Sequence, residues 1–357
     1  MFEFIHTQLL PYISGLYTLP WILVGFIVTI IIAKFTGREK IDRIMKKIGL
    51  ILLYFFIPVL LFRIFLDLFT MNQIGFVGVI TLVIVFMYLV AYMYAKYSGK
   101  KQQLSETRQD HFVKTMLTNQ GRSSAFIGSA MMAYWPVEAG ILMAIVGIGL
   151  FAVIPYILSH MHKKMSKKKS METHALPWFL RFYPWYLILF VIAGIGLQLL
   201  IQKTPGFTYS ESLLGFNGYV LLKLYTAITI PAALYYVGAC IHPTDLKKSE
   251  LRKLLGVDTS GDGKEHWTWV RHMFLLTVVI TPVLVGLIFG GLFLVKIIPV
   301  AWFSVILINA FLPVTSTNMF LVTYGIDKRA TAHVITWTTL ICVPIVVLLI
   351  SLLATIL

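Results

Sequence analysis

The sequence predicts an all-α integral membrane protein with ten transmembrane helices, arranged as two inverted five-helix repeats with broken crossover helices four and nine. Three observations lead to this prediction. Hydrophobic residues make up 58% of the 357 residues and charged residues only 13%, roughly half the charged fraction of a soluble protein. Apolar stretches of roughly twenty residues, each able to cross about 30 Å of hydrocarbon, recur along the whole chain. Basic residues concentrate in alternate loops between these stretches.

The apolar stretches define the ten spans in order. A short interfacial helix is expected before them, over Met1–Ser14, and insertion is expected to be directed by the first span because no basic segment precedes it. The spans are Leu16–Phe35, Lys47–Leu68, Ile74–Lys96, Phe112–Trp135, Val137–His160, Pro184–Ile201, Leu214–Cys240, Val270–Val295, Ile297–Tyr324 and Thr331–Leu353.

The distribution of positive charge sets the expected topology. The net charge is +15, which in a soluble protein would suggest nucleic-acid binding. Here most Lys and Arg residues lie in the short loops after odd-numbered spans, and the opposite loops contribute only Lys203 and Lys296. The odd-numbered loops are therefore expected to be cytoplasmic, with both termini on the non-cytoplasmic side. The expected partner of this charge is the lipid bilayer and not a nucleic acid.

Ten spans with both ends outside divide into two halves of five, and an odd number per half inverts the second half. We expect a first repeat over 1–162, a basic cytoplasmic linker over 163–182 and a second repeat over 183–357. Proline and asparagine recur at corresponding positions of the two halves: Pro58 and Pro231, Asn119 and Asn309, Pro155 and Pro344.

Span four carries a polar block at membrane depth, Thr118–Ser124. A straight helix facing lipid would leave several of these groups in hydrocarbon, at a cost of several kcal/mol in total. Gly121 and Gly128 loosen the helix around the block. The block is therefore expected to line a hydrated cavity where the helix is broken.

Span nine carries a matching polar segment. Pro313 lacks the amide that would bond to Asn309, and Thr315, Ser316, Thr317 and Asn318 follow it. Two interrupted polar spans at corresponding positions of two repeats are the pattern that marks the binding site of a secondary transporter. Each span taken alone could instead be a kinked structural helix whose hydroxyl groups are satisfied internally.

Three cations lie inside spans: Arg63, Lys223 and Arg122. Arg63 and Lys223 lie nearer the outer surface, where long side chains can reach the interface, whereas Arg122 lies near the middle of its span. No acidic residue matches the three in depth, so the cavity is expected to be electropositive and to favour an anion.

These observations together predict a carrier for a small organic anion. Coupling to protons or to sodium, or uncoupled transport, all remain open. No metal spacing or cofactor motif occurs, and neither a metal nor a cofactor is expected. The residues expected to line or shape the site are Asn119, Gln120, Arg122, Ser123, Pro313, Thr315 and Asn318, with Gly121, Gly128 and Pro313 at the crossover.

The C-terminal stretch Phe311–Leu348 resembles the last two spans of the auxin efflux carrier family, within the larger group of bile acid, arsenite and auxin carriers. Its fitting residues are Pro313, Asn318, Tyr324, Gly325 and Pro344, and in the first half Tyr54–Phe62 and Asn119 with Phe126–Gly128 are similar. The resemblance implies ten helices in two inverted repeats, broken helices crossing at the midplane, and export of auxins or small carboxylates such as malate. It also implies a homodimer. We expect the carrier to work by alternating access between a scaffold and a crossover-helix domain.

Other classes are weighed against this one. A membrane-embedded enzyme would need paired acids, a Ser/His pair or a His-rich motif, and the closest histidines, His160 and His162, are poorly spaced for a metal on a helix. A channel or a receptor also remains an alternative. The nearest alternative is a sodium-coupled organic-anion symporter of the bile-acid type, which shares the inverted ten-span plan.

Overall fold

The computed structural model describes residues 2–10, 20–125, 127–166, 177–257 and 264–355, and most of these residues are helical, with no strand among them. Parts of the expected interfacial helix, of the linker and of the Phe126–Gly128 motif lie outside the described residues. The α-helices of the described part are α1 Phe2–Phe4, α2 Trp21–Thr36, α3 Arg38–Ile51, α4 Ile57–Leu68, α5 Ile74–Lys101, α6 Glu106–Thr118, α7 Pro136–Ile148, α8 Ile154–Ser166, α9 Trp178–Leu200, α10 Tyr209–Ala239, α11 Lys248–Leu255, α12 Lys264–Leu275, α13 Thr281–Leu294, α14 Val300–Phe311 and α15 Lys328–Ala354.

Seven helical stretches of the described chain are long and apolar enough to cross a membrane, which supports the prediction of a multi-pass, all-α membrane protein. They are Arg38–Leu68, Met71–Lys101, Pro136–Met161, Trp178–Leu200, Tyr209–Ala239, Glu265–Leu294 and Lys328–Ala354. The helices found within the other three predicted spans are shorter, for identifiable reasons. Span one begins in residues outside the described part, and spans four and nine are each interrupted. The count of ten therefore stays a prediction.

Three of the long stretches contain a π-helical turn, and each turn ends two residues before a proline. The turns are Leu52–Phe56, Gly149–Val153 and Leu276–Ile280. The prolines are Pro58, Pro155 and Pro282. In each case the residue before the proline donates its N–H to the carbonyl five residues back. A proline lacks an N–H and its ring crowds the preceding turn, so widening that turn keeps the helix continuous.

The chain divides into two compact units, and each is assembled from three segments. The first unit contains Met1–Val77, Ser124–Ala144 and Tyr183–Ile241, and the second contains Gly78–Ser123, Ile145–Phe182 and His242–Leu357. Each unit draws on both predicted halves of the sequence. Spans one and two share the first unit with spans six and seven, and span three shares the second unit with span eight.

Close packing of α2 against α10 organises the first unit. Gly25 lies against the Tyr235 carbonyl, and Gly238 lies against the Ile22 carbonyl, so a β-carbon at either glycine would meet backbone of the other helix. Arg38 donates to the Ala239 carbonyl at 2.9 Å near the end of the same helix pair. Small residues at a helix contact allow this approach, because membrane helices gain their association energy from van der Waals contact.

An aromatic core organises part of the second unit, where α12, α15 and α6 meet. Phe112 of α6 contacts the ring of Trp269 of α12 at a centroid distance of 5.2 Å, and both side chains are buried. Trp337 of α15 and Val314, from the chain after α14, belong to the same cluster. This core holds α6 and the start of α15 in place, and it therefore positions the segment that follows α6.

We predict that Gly238→Ala destabilises the protein, because the added β-carbon would overlap the Ile22 carbonyl and force α2 away from α10. The expected cost is about 1–3 kcal/mol or more, measured as a lower thermal unfolding midpoint in detergent. The matched control is Gly196→Ala in α9, where a β-carbon meets nothing within 4 Å. Alanine favours helix over glycine by up to about 1 kcal/mol, so the control should keep or raise the midpoint. A similar fall in both variants would contradict the packing described for α2 and α10.

Candidate functional site

The first interruption follows α6, in the polar block of span four. Asn119 has φ −76° and ψ 5°, outside the helical region, and ends the helix. Gln120 and Gly121 then donate their N–H groups to carbonyls three residues back, in the last tightened turn. After Gly121 the chain is extended through Arg122, and a 3₁₀-helix follows over Ile127–Ala133. The polar block therefore coincides with a break in the backbone.

The second interruption follows α14, in span nine. Leu312 has φ −59° and ψ 140°, the extended geometry imposed on a residue that precedes a proline. The Asn309 carbonyl, which Pro313 cannot reach with an N–H, accepts one from Leu312 at 3.2 Å instead. A 3₁₀-helix begins at Ser316 and ends at Tyr324. Both broken spans thus show the same succession of α-helix, extended segment and 3₁₀-helix.

The two extended segments pair with each other through their backbones, within the second unit. Ser123 donates its N–H to the Pro313 carbonyl at 2.9 Å, and Thr315 donates its N–H to the Gly121 carbonyl at 3.0 Å. Arg122 and Val314 face each other between these two bonds as an antiparallel bridge. Each break therefore supplies hydrogen-bond partners for backbone groups that the other break leaves free. Backbone groups in a hydrocarbon environment need such partners within the protein.

Arg122 is the charged group at this pairing, and it is only 3% exposed. Its Nη1 donates to the Leu312 carbonyl at 3.1 Å. Its Nε and Nη2 have no hydrogen-bond partner among the residues that the structure describes. The titratable groups that face it are the Tyr88 phenol and the Cys342 thiol, and no described carboxylate forms an ion pair with it. A buried guanidinium with two free donor groups is suited to bind an anion.

Asn119 and Gln120 donate hydrogen bonds through their side-chain nitrogens, to α6 itself and to neighbouring helices. Asn119 Nδ2 donates to the Thr115 carbonyl at 2.8 Å and to the Thr331 hydroxyl at 3.0 Å. Gln120 Nε2 lies 3.3 Å from the Met87 carbonyl and 3.1 Å from the Thr281 hydroxyl. These contacts fix the amide orientations, because a carbonyl can accept only from the nitrogen end.

Thr315 and Asn318 close the other side of the pairing. The Thr315 hydroxyl lies 2.9 Å from that of Thr317 and caps the 3₁₀-helix. Asn318 Nδ2 lies 3.4 Å from the Gly121 carbonyl. A β-carbon at Gly121 would stand 2.6 Å from Asn318 Oδ1, so the absence of a side chain at Gly121 permits this close approach. The residues expected at the site from Asn119 to Ser123 and from Pro313 to Asn318 therefore lie together.

The remaining predicted residues belong to the first unit. Gly128 is buried in the 3₁₀-helix Ile127–Ala133, whose residues belong to the first unit. Lys223, also in the first unit, lies 3.3 Å from His6 Nε2 and over the ring of Tyr219.

Arg63 also lies in the first unit, and the expectation that no acidic residue matches it is wrong. Its guanidinium donates to the Thr226 hydroxyl and lies 3.8 Å from the Asp67 carboxylate, one helical turn along α4. That carboxylate also accepts from the N–H and the hydroxyl of Ser210, both at 2.8 Å. Arg63 therefore belongs to a network that ties α4 to the start of α10.

Residues outside spans four and nine also hold the site, and they were not predicted from the sequence. Thr338 of α15 accepts the N–H of Val314 at 3.2 Å, and Thr331 of the same helix holds Asn119. Met87 of α5 lies beside both Gln120 and Asn309. The buried threonines in the apolar last span could have indicated a polar contact with the site, whereas nothing in the sequence marks Met87 for such a role.

No known protein-family model matches the chain, and no curated protein matches it either.

We predict that Thr338→Val destabilises the pairing of the two breaks, because the Val314 N–H would lose the hydroxyl that accepts its hydrogen bond. Leaving a buried donor unsatisfied costs about 1–3 kcal/mol. The expected results are a lower thermal unfolding midpoint and faster hydrogen exchange over residues 312–318.

The control is Thr229→Val in α10. Thr229 is equally buried, and among the residues that the structure describes its hydroxyl donates only to the Tyr225 carbonyl of its own helix. This change should leave exchange over residues 312–318 as it is in the unmodified protein. Unchanged exchange in Thr338→Val would show that the Val314 amide does not depend on that hydroxyl.

Proposed function

We propose that this protein is a secondary transporter for a small organic anion, such as a carboxylate or an auxin-like acid, and that it works by alternating access. The observation that carries the proposal is Arg122, a buried cation at the junction of two broken helices that has no carboxylate partner among the described residues. A buried, unpaired charge costs several kcal/mol, so it is retained where a function needs it.

Two structural features support the ten-helix inverted plan within this proposal. The succession of α-helix, extended segment and 3₁₀-helix occurs once in each predicted half. The segments that make up each compact unit also match the predicted repeat for three spans of the first half. Spans one, two and three each share a unit with the span that comes five later in the chain. Both features are typical of repeats that insert in opposite orientations. We propose on this basis that the auxin efflux carrier resemblance reflects a shared architecture.

The chemistry of the site supports an anion over a cation as the transported species. A guanidinium offers a planar set of N–H donors that matches the two oxygens of a carboxylate. Acidic residues that would attract a cation are absent from the described residues of both extended segments.

We predict that Arg122→Gln lowers the uptake of the best carboxylate substrate at least about tenfold, because one charge-assisted hydrogen bond contributes about 1.5–3 kcal/mol. Uptake is measured in proteoliposomes with a panel of radiolabelled carboxylates, under sodium and proton gradients in turn. Arg122→Lys keeps the charge without the fork geometry and should retain part of the activity.

The matched control for this experiment is Arg108→Gln. Arg108 lies on the surface, with a side chain 65% exposed in its ion pair with Glu265, so its loss should leave uptake unchanged. Full uptake by Arg122→Gln would show that Arg122 has no role in transport, provided that the variant has the same gel-filtration profile and thermal unfolding midpoint as the unmodified protein.

We also predict the orientation of the chain. A cysteine introduced by Lys203→Cys should react with a membrane-impermeant maleimide in intact cells, because the loop after span six is expected outside. Arg108→Cys should react only after the membrane is permeabilised. Protein in which Cys240 and Cys342 are replaced by serine gives the background. The opposite pattern would invert the proposed topology.

A further inference from the structure

A short helix, α11, lies between spans seven and eight, on the side that is expected to be cytoplasmic. It covers Lys248–Leu255 and lies outside every predicted span. The chain from Lys247 to Val257 carries four basic residues and one acidic residue. The acidic residue, Glu250, pairs with Lys253 at 2.9 Å. The segment around α11 therefore carries an excess of positive charge.

One face of α11 is exposed and combines basic with apolar residues. The exposed residues at the spacing i, i+3, i+4 and i+7, which lie on one side of a helix, are Lys248, Leu251, Arg252 and Leu255. Leu255 is 69% exposed. Leu254 lies off this face, is only 6% exposed and belongs to the aromatic core of the second unit. Leu254 therefore fixes α11 to the second unit, and the exposed face is turned away from that core.

Two contacts place both ends of this segment at the level of the membrane surface. Shortly before α11, Asp245 accepts a hydrogen bond from the Thr336 hydroxyl at 3.3 Å, and Thr336 lies near the beginning of predicted span ten. Directly after α11, a β-carbon at Gly256 would stand 2.9 Å from Arg271 Nη1. Arg271 is the second residue of predicted span eight. Because both spans begin at the cytoplasmic surface, α11 lies along that surface and does not project into the cytosol.

The depth, the charge and the exposed leucines of α11 fit one partner. We infer that the exposed face of α11 binds acidic phospholipids of the cytoplasmic leaflet. Leu251 and Leu255 enter the boundary with the acyl chains, and Lys248 and Arg252 contact the phosphate groups. Amphipathic helices with basic and apolar residues bind a membrane surface in this way, and acidic lipids strengthen the binding. The inference does not depend on which solute the protein transports.

A first measurement locates Leu255 relative to the lipid. Leu255→Cys, in full-length protein whose Cys240 and Cys342 are replaced by serine, is labelled with an environment-sensitive dye. The protein is placed in nanodiscs of phosphatidylcholine, with or without phosphatidylglycerol. With phosphatidylglycerol we expect an emission that spin-labelled acyl chains quench and that aqueous iodide does not. The control is Arg108→Cys in the same background, at a side chain 65% exposed, where iodide should quench the dye.

A second measurement tests the charge. Phosphatidylglycerol should raise the thermal unfolding midpoint of the unmodified protein, because a ligand that binds only the folded state stabilises it. In the double variant Lys248→Gln/Arg252→Gln, the phosphatidylglycerol content that gives half of this rise should increase about tenfold. The control Lys100→Gln/Lys101→Gln removes the same charge from the exposed end of α5 and should keep the rise. Each variant in phosphatidylcholine alone gives its own reference midpoint.

Three results would overturn the inference. The first is that iodide quenches the dye on Leu255→Cys as fully as the dye on Arg108→Cys in both lipid mixtures, because α11 would then project into water. The second is an equal rise of the midpoint in Lys248→Gln/Arg252→Gln and in the unmodified protein. The third is that polyglutamate, added to phosphatidylcholine nanodiscs, shields the dye on Leu255→Cys from iodide while phosphatidylglycerol does not. The face would then bind an acidic peptide and not lipid.

Discussion

The structure depends on one constraint: every backbone N–H and C=O inside the hydrocarbon region must find a partner within the protein. A helix that stops midway leaves such groups without partners. Here two helices stop, after Thr118 and after Phe311, and the extended segments that follow exchange hydrogen bonds through Ser123 and Thr315. Each extended segment satisfies backbone groups of the other, so the two interruptions act as one structural element.

This element explains why a cation can remain in the interior. The break frees the Leu312 carbonyl to accept a hydrogen bond from Arg122. The bridge to Val314 fixes the backbone position from which the Arg122 side chain extends. Threonines of neighbouring helices supply the remaining contacts, Thr338 to the backbone and Thr331 and Thr281 to the amides. Polar groups within apolar helices are therefore concentrated around one position, where they replace the hydration that the membrane removes.

Much of this arrangement was predictable from the sequence, because it follows from local chemistry. Pro313 and the polar block after Thr118 predict two broken helices, since no straight helix can carry them at low cost. The pairing register between Arg122 and Val314 was not predictable, because it depends on how separate segments pack. The same holds for Met87, an apolar residue whose carbonyl and sulfur position two amides. Asp67 lies one turn from Arg63 in the same helix, so the spacing of the two residues could have predicted their ion pair.

An electron cryomicroscopy map of the protein in lipid nanodiscs with a transported carboxylate bound tests the pairing of the two breaks most directly. We expect helices that stop at Thr118 and Phe311, with the extended segments paired between them. We also expect density for the acid within hydrogen-bond distance of Nε and Nη2 of Arg122. Continuous helices through both polar segments, or an Arg122 side chain bound to a carboxylate of the protein itself, would contradict it.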